Sequence, residues 1–100
     1  MYVSRLTFHT LPGKTSEVEQ ALKRLQAMVT RAGGANARVL RTHYASLGAP
    51  DVVFEQEASD LTTLETQIEQ VTKARAFKQR SAGMSGLLAE SPKREIYIAG

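Results

Sequence analysis

The 100-residue sequence contains no cysteine and no tryptophan, and it has no long run of apolar residues. Without cysteine the chain has no disulfide framework, no thiolate nucleophile and no thiolate-ligated metal, which fits a cytoplasmic protein. A membrane-spanning helix needs roughly 18 consecutive apolar residues, and no run approaches that length. Met1 to Thr10 alternates between polar and apolar residues instead of forming the apolar stretch of a signal peptide. These absences predict a cytoplasmic location and no membrane partner.

The composition is that of an ordinary globular domain. Apolar residues make up 42% of the sequence and charged residues 23%, which argues against a disordered chain. A chain of this length buries enough surface for one modest core and no second one. We therefore expect residues 1–100 to form a single domain.

The net charge of +3 conceals a segregation of charge along the chain. Residues 1–50 carry seven Lys or Arg and two Glu, whereas residues 51–100 carry six Lys or Arg and eight Asp or Glu. An acidic run from Asp51 to Glu69 is followed by four basic residues, Lys73, Arg75, Lys78 and Arg80. Adjacent blocks of opposite sign are typical of solvated faces that pair within the fold. A nucleic-acid site on the basic group is an alternative, but no aromatic stacking platform or recognition motif supports a specific one.

The order of elements predicts the fold class. Met1 to Thr10 has the period of two of a strand, and Leu11-Pro12-Gly13 breaks it. A helix is predicted from Ser16, with Glu19 completing a capping box, to the glycine pair at 33–34. The remaining elements are a strand over Arg38–Ser46, a turn-rich loop, a strand over Val52–Ala58, a helix capped by Asp60, a helical stretch anchored by Phe77 and ending near Gly83, and a strand over Glu95–Ala99. This βαββαβ order predicts a ferredoxin-like α+β fold, with both helices on one face of a four-stranded antiparallel sheet.

Strand parity predicts which residues face away from the helices. The sets expected to meet the helices are Leu6 and Phe8, Leu40 and Tyr44, Val52 and Phe54, and Ile96 and Ile98. The sets expected on the uncovered face are Arg5, Thr7 and His9, Arg41 and His43, Glu55 and Glu57, and Glu95 and Tyr97. A hairpin centred on Ala49 would place His43 opposite Glu55 and Arg41 opposite Glu57. The sheet order 4-1-3-2 would also place Arg5 and His9 beside these carboxylates.

This charged lattice has two interpretations. The first is a solvated face with cross-strand ion pairs. The second is the wall of a cavity shared by two sheets in a homodimer, where a carboxylate beside a histidine raises its pKa and favours acid–base chemistry near neutral pH. Two histidines and scattered glutamates fall short of a metal site, so we expect no metal.

Several short motifs carry a resemblance to a known family. They are Pro12-Gly13-Lys14 after the first strand, Gly33-Gly34, Val52-Val53-Phe54-Glu55, Asp60, and Arg75-Ala76-Phe77 followed by Leu87-Leu88. Across nearly its whole length the chain resembles the antibiotic-biosynthesis-monooxygenase-like family of the dimeric α/β-barrel superfamily. The resemblance implies a homodimer whose two sheets form a barrel, with a ligand cavity between sheet and helices or at the dimer seam. Some members of the family oxidise aromatic polyketides without a cofactor, others degrade haem, and many have no assigned activity.

The haem-degrading pattern does not carry over to this chain. Those members use a His on the second helical region, an Asn on strand 1 and a Trp on strand 3. Here the second helical region has no His, Glu57 stands near the position of that Trp, and the only Asn is Asn36. We therefore expect no haem and no other cofactor.

Two functions stay open from the sequence. The first is a cofactor-independent monooxygenase or isomerase-like enzyme acting on a small aromatic or quinone-like compound. Its candidate catalytic residues are His9 and His43 as acid–base groups and Arg5 and Arg41 as oxyanion stabilisers, and its candidate ligand-binding residues are Tyr44, Glu55, Glu57 and Tyr97. The second is a non-catalytic, small-molecule-binding or stress-related homodimer. In both, we expect Phe77, Leu87 and Leu88 to pack in the core or at the dimer interface.

Overall fold

Four antiparallel strands form one sheet in the order β2-β3-β1-β4. The structure, a computed structural model, describes the backbone of all 100 residues and every side chain except those of Ala76 and Arg80. The elements are β1 (Tyr2–Phe8), α1 (Thr15–Arg31), β2 (Ala35–Arg41), β3 (Val52–Ala58), α2 (Leu61–Lys73), α3 (Arg75–Met84), a 3-10 turn (Ser85–Leu87) and β4 (Lys93–Ile98). The predicted ferredoxin-like α+β fold and strand order are confirmed.

Helix α1 packs an apolar stripe against the sheet. Val18, Leu22 and Val29 are its buried residues, and they recur at the spacing of a single helical face. The predicted capping box at Ser16 is wrong, because the helix begins one residue earlier and its N-cap, Lys14, makes no side-chain capping bond. The glycine pair does end the helix. Gly33 has a φ of +93° and lets the N–H of Gly34 donate to the carbonyl of Val29 at 2.9 Å.

Helix α2 begins where the sequence predicts. The Oδ1 atom of Asp60 accepts a hydrogen bond from the backbone N–H of Thr63 at 2.8 Å, as an N-cap carboxylate does. This hydrogen bond holds the pKa of Asp60 below its ordinary value. None of the helices in the described part of the chain is both long and apolar enough to cross a membrane.

The core lies between the sheet and the helices. Phe8, Val52 and Phe54 supply its sheet side, and Leu22 and Val71 belong to its helix side. Leu88, from the segment before β4, completes it, while Phe77 and Leu87 are partly buried against it. This confirms the expectation that these three residues pack in the core. Every residue of β4 is exposed, so the helix layer leaves this edge strand largely uncovered.

The predicted position of β2 is wrong. The strand ends at Arg41, which lies opposite Val52, and Arg38 lies opposite Glu55. The connection to β3 therefore spans residues 42–51 and is twice as long as the predicted loop. A register slip by an odd number of residues moves every side chain to the other face, so Leu40 does not share the face of Val52 and Phe54. At its start the strand is irregular between Ala35 and Arg38, where Asn36 has a φ of +49°.

Candidate functional site

A charged network covers the sheet face that points away from the helices. We call this surface the bare face and define it by residues in register across the sheet: Val3, Arg5 and Thr7 on β1, Arg38 and Leu40 on β2, Val53, Glu55 and Glu57 on β3, and Lys93, Glu95 and Tyr97 on β4. The predicted sharing of one face by Arg5, Glu55, Glu57 and Tyr97 is confirmed by this register.

Glu55 is the centre of the network. Its Oε2 atom accepts from Arg5 Nε at 2.8 Å and lies 2.7 Å from Arg5 Nη2, and its Oε1 atom accepts from Arg38 Nε at 3.0 Å and Nη2 at 2.7 Å. Only 2% of Glu55 is exposed. Burial acts to raise the pKa of Glu55, but the hydrogen bonds and charges of Arg38 and Arg5 outweigh it and hold the pKa below its ordinary value. The carboxylate is thus a fixed anion between two cations.

The arginines of the network also contact neighbouring groups. The guanidinium carbon of Arg5 lies 5.1 Å from the centre of the Tyr97 ring, within the range of a cation–π contact. The hydrogen bond between Tyr97 and Glu95 raises the pKa of the Tyr97 hydroxyl. Glu57 accepts a hydrogen bond from Asn36 Nδ2 at 2.9 Å. These pairings match the interpretation of the bare face as a lattice of cross-strand contacts.

Three of the four predicted catalytic residues, Arg41, His43 and His9, lie away from this network. Arg41 lies opposite Val52, and His43 lies in the connection after β2, so neither faces Glu55 or Glu57 as predicted. Tyr44, a predicted ligand-binding residue, is 93% exposed on the same connection and does not meet the helices. Arg38 takes the place that the sequence assigned to His43. No side-chain role was predicted for it, because the assumed hairpin centre set the wrong parity.

A cavity of about 440 Å³ lies on the other side of the sheet, beneath α1 and α3. Its apolar lining consists of Leu6, Phe8, Ala21, Leu22, Leu25, Met28, Phe77, Met84, Leu88 and Pro92. Its polar lining consists of Ser81, Ser85, Glu90 and Ser91. All four polar residues are exposed, whereas Phe8, Leu22 and Leu88 are buried. The polar groups therefore surround the mouth of the cavity, and its floor is apolar.

His9 lies at this mouth and contacts Glu90. Its Nδ1 atom is 2.8 Å from Glu90 Oε1, and its Nε2 atom is 3.1 Å from the carbonyl oxygen of Gly48. The backbone holds the arrangement, because the N–H of Ala89 donates to the carbonyl of His9 at 2.8 Å. The expectation that His9 neighbours the strand glutamates is wrong, since it pairs with Glu90 beyond the end of β1. Sequence reasoning missed Glu90, which follows a short apolar piece whose position only the folded chain defines.

The described side chains give no support to the other candidate sites. They contain no group of three or more His, Asp or Glu placed to hold a metal ion. In the basic group, Lys73 pairs with Glu69 one helical turn away, which lowers the pKa of that glutamate. Arg75 and Lys78 are exposed, and Arg80, the fourth predicted basic residue, lies outside the described side chains. The Lys73 pair is the intramolecular pairing that charge runs usually make.

Comparison with known proteins identifies the fold. No family model matches the chain, and no curated protein matches it. A solved structure from Nitrosomonas europaea, provisionally named an antibiotic biosynthesis monooxygenase, is 14% identical with a TM-score of 0.77, over 99% of this chain and 98% of that one. An uncharacterized NIPSNAP domain protein from Burkholderia xenovorans is 16% identical with a TM-score of 0.76, over 100% and 95% of the two chains.

A third similar structure, from Deinococcus radiodurans, carries the same provisional monooxygenase name as the first. It is 17% identical with a TM-score of 0.71, over 100% of this chain and 93% of that one. At these identities the likeness defines the fold and leaves the chemistry open. The chain therefore has the fold of proteins named antibiotic biosynthesis monooxygenases, as the short motifs predict.

Proposed function

We propose that this protein is a homodimer that binds a small aromatic or quinone-like compound in the cavity and oxidises it with O2 without a bound cofactor. The cavity is the observation that carries the proposal. Its 440 Å³ falls within the range of small-molecule sites, which are mostly apolar with a few placed polar groups. The similar structures from Nitrosomonas and Deinococcus are both named as monooxygenases, and this supports an oxidation reaction for the present chain.

The residues at the mouth define what the protein contributes. A compound whose reacting CH2 group has an enol or phenol tautomer would lie on the apolar floor with the hydroxyl group of that tautomer toward Glu90. The carboxylate takes the hydroxyl proton as a general base, and the electron-rich anion is then oxidised at carbon directly by O2. The overall change, CH2 + O2 → C=O + H2O, balances without an added reductant. His9, paired with Glu90, is the second acid–base group of this proposal.

The bare face supports the homodimer. Leu40 and Tyr97 on this face are 41% and 43% exposed, which leaves apolar surface beside the charged network. Arg5 and Arg38 lie near Glu57 and Glu95, so the face carries both signs of charge and a two-fold axis can pair it with itself. In this arrangement Arg5, Glu55 and Tyr97 contribute to the interface between the two sheets of the dimer.

A matched pair of variants tests the dimer. Leu40→Glu places a charge on the bare face, and Leu61→Glu places the same charge on α2, at a residue of nearly equal exposure, 39%. We expect light scattering to report twice the chain mass for the wild type and Leu61→Glu, and one chain mass for Leu40→Glu. A wild type that stays a monomer at micromolar concentration would contradict the homodimer.

A second matched pair tests the cavity. Ala21 lines the cavity from α1, and Ala27 lies exposed on the same helix outside it. Hydroquinones and anthrone should raise the thermal midpoint of the wild type by mass action. Ala21→Phe should abolish this shift and Ala27→Phe should keep it. Equal shifts in both variants would place ligand binding elsewhere.

Turnover is tested separately with isotopically labelled O2. We expect one labelled oxygen atom in the product carbonyl and one in water, with the rate lost in Ala21→Phe and kept in Ala27→Phe. Binding without product would support the second candidate, a non-catalytic binding protein. One observation favours that candidate: the described lining contains a single titratable side chain, Glu90, with three serines and apolar groups around it.

A further inference from the structure

We infer that Glu90 selects uncharged ring compounds that carry a hydroxyl group and rejects those that carry a carboxylate. This inference rests on the proposed binding of a ring compound in the cavity and specifies which compounds bind. It follows from the contact of His9 with one oxygen atom of Glu90, from the second oxygen atom of Glu90 and from the groups that line the mouth.

The contacts of His9 hold one oxygen atom of Glu90 in place. The Nε2 atom of His9 lies 3.1 Å from the carbonyl oxygen of Gly48, which anchors one side of the ring. The Nδ1 atom on the other side lies 2.8 Å from Oε1 of Glu90. His9 therefore fixes the orientation of the Glu90 carboxylate at the mouth of the cavity.

This pairing leaves one oxygen atom of Glu90 for a ligand. His9 contacts Oε1, and no described residue donates a hydrogen bond to Oε2. A carboxylate oxygen is a strong acceptor for a hydroxyl group and cannot donate to a ligand carboxylate. The mouth therefore offers a carboxylate acceptor whose orientation is fixed by His9.

The remaining lining explains the rejection of anions. Apart from Glu90, the described residues that line the cavity are apolar groups and the hydroxyl-bearing Ser81, Ser85 and Ser91. Lys93 lies on the bare face, and Arg94 lies opposite Leu6 on the cavity side of the sheet but is exposed and does not line the cavity. A ligand carboxylate at the mouth would thus lose its hydration, find no cation among the lining residues and approach the like charge of Glu90.

Three probes of the same ring system separate these features. 2-Naphthol has a hydroxyl donor, 2-methoxynaphthalene has the same oxygen without the donor, and 2-naphthoate carries a charge at pH 7. A hydrogen bond to a charged group corresponds to about a tenfold change in affinity or more. We expect 2-naphthol to bind the wild type about tenfold more tightly than 2-methoxynaphthalene, and 2-naphthoate to bind most weakly, by calorimetry.

Glu90→Gln removes the charge with little change of shape. We expect it to reduce the preference for 2-naphthol over 2-methoxynaphthalene to less than about threefold and to tighten 2-naphthoate binding about tenfold. The matched control is Glu17→Gln, on α1 outside the cavity, where the carboxylate pairs with Lys14 at 3.4 Å. All three affinities should be unchanged in this control.

His9 is a positioning residue in this inference, and a ratio of affinities tests it. His9→Ala should lower the preference for 2-naphthol over 2-methoxynaphthalene while leaving the affinity for 2-methoxynaphthalene within about twofold, because the apolar floor is intact. A variant that only disturbed the fold would weaken both probes together.

The outcomes distinguish this inference from the proposed function. If 2-naphthol and 2-methoxynaphthalene bind the wild type equally, or if Glu90→Gln changes no ratio, the selection by Glu90 is wrong and the cavity remains a binding site. Tightest binding of 2-naphthoate would also overturn the selection. If none of the three probes binds the wild type, the proposed function fails and the inference falls with it.

Discussion

Replacing Glu55 with glutamine isolates the effect of one buried charge on stability. The wild-type carboxylate faces four guanidinium nitrogens, two from Arg5 and two from Arg38. Glutamine keeps the shape of the side chain but has one acceptor oxygen, so it can satisfy one arginine only. The NH2 group of the glutamine then faces the N–H groups of the other arginine. Both are hydrogen-bond donors, so the buried NH2 group has no acceptor there.

The magnitude follows from these contacts. Each hydrogen bond to a charged group is worth about 1.5–3 kcal/mol, and two of the four are lost. The arginine side chains are 42% and 55% exposed, so both regain water and offset part of the loss. We expect Glu55→Gln to lower the free energy of unfolding by about 3 kcal/mol, out of the roughly 5–15 kcal/mol typical of a domain.

The pH dependence has a definite sign. The pKa of Glu55 in the folded chain lies below its ordinary value of 4.5, because the hydrogen bonds and charges of the two arginines outweigh the effect of burial. A carboxyl whose pKa is lowered by folding stabilises the native state fully above its unfolded pKa, and this stabilisation is lost as the pH falls through the native pKa. Glutamine resembles the protonated carboxyl, so the difference between the two proteins should shrink below pH 4.5.

Urea unfolding followed by circular dichroism measures this difference. The two proteins should be compared at equal concentration at pH 7 and pH 3, because association adds to apparent stability. Glu57→Gln is the matched control, since Glu57 shares the strand and face but contacts Asn36 rather than arginine; we expect a change within about 0.5 kcal/mol. A Glu55→Gln effect below about 0.5 kcal/mol at pH 7, or one that is equally large at pH 3, would refute this account.

Two further predictions concern backbone and turn positions. A Cβ atom on Gly34 would overlap Cγ1 of the buried Val29 and lie 3.0 Å from its carbonyl oxygen, so Gly34→Ala should lower the free energy of unfolding by about 1–3 kcal/mol in urea. At Gly33 a Cβ atom would meet open space, but the φ of +93° is strained for alanine, so Gly33→Ala should lower it by about 1 kcal/mol. A larger loss of stability at Gly33 than at Gly34 would contradict the packing argument. Asp51 Oδ2 accepts a hydrogen bond from the backbone N–H of Thr10 at 2.8 Å. Asp51→Ala should therefore speed hydrogen exchange at the Thr10 amide about tenfold. An unchanged exchange rate would show that this hydrogen bond does not protect the Thr10 amide.

Strand β3 shows what the sequence predicts well. Its alternation places Val52 and Phe54 on one face and Glu55 and Glu57 on the other, and turn-forming residues bound it on both sides, so the strand and its parity are both confirmed. Helix α2 is predicted equally well, because Asp60 is a strong N-cap in front of an apolar stripe.

Strand β2 shows where local pattern is not enough. Val39 and Leu40 are adjacent apolar residues, so either can be assigned to the core, and the choice depends on the ladder with β3. The backbone N–H of Thr42 donates to the carbonyl of Asp51 at 3.0 Å, which closes the ladder earlier than the turn residues suggest. The bare face was therefore predicted with the right glutamates and the wrong arginine, Arg41 instead of Arg38.

The cavity mouth could not be predicted from pattern at all. His9 and Glu90 are far apart in the sequence, and their contact depends on how the segment after α3 returns along the end of β1. The family resemblance implied a cavity between sheet and helices or at the dimer seam, but short motifs carry no information on which side chains surround its opening. The physical reason is that a cavity is a gap between elements, set by packing rather than by any one element.

The two proposed roles, dimer pairing and ligand binding, lie on opposite faces of the sheet, and their independence can be tested. Along β3, Phe54 points to the core beside the cavity and Glu55 points to the bare face, so no side chain belongs to both. Substitutions that share no partners usually add. The double variant Glu55→Gln with Glu90→Gln should therefore show the stability loss of the first and the ligand selectivity of the second, each within error. A non-additive change in the 2-naphthol preference would mean that the bare face and the cavity mouth are coupled through the sheet.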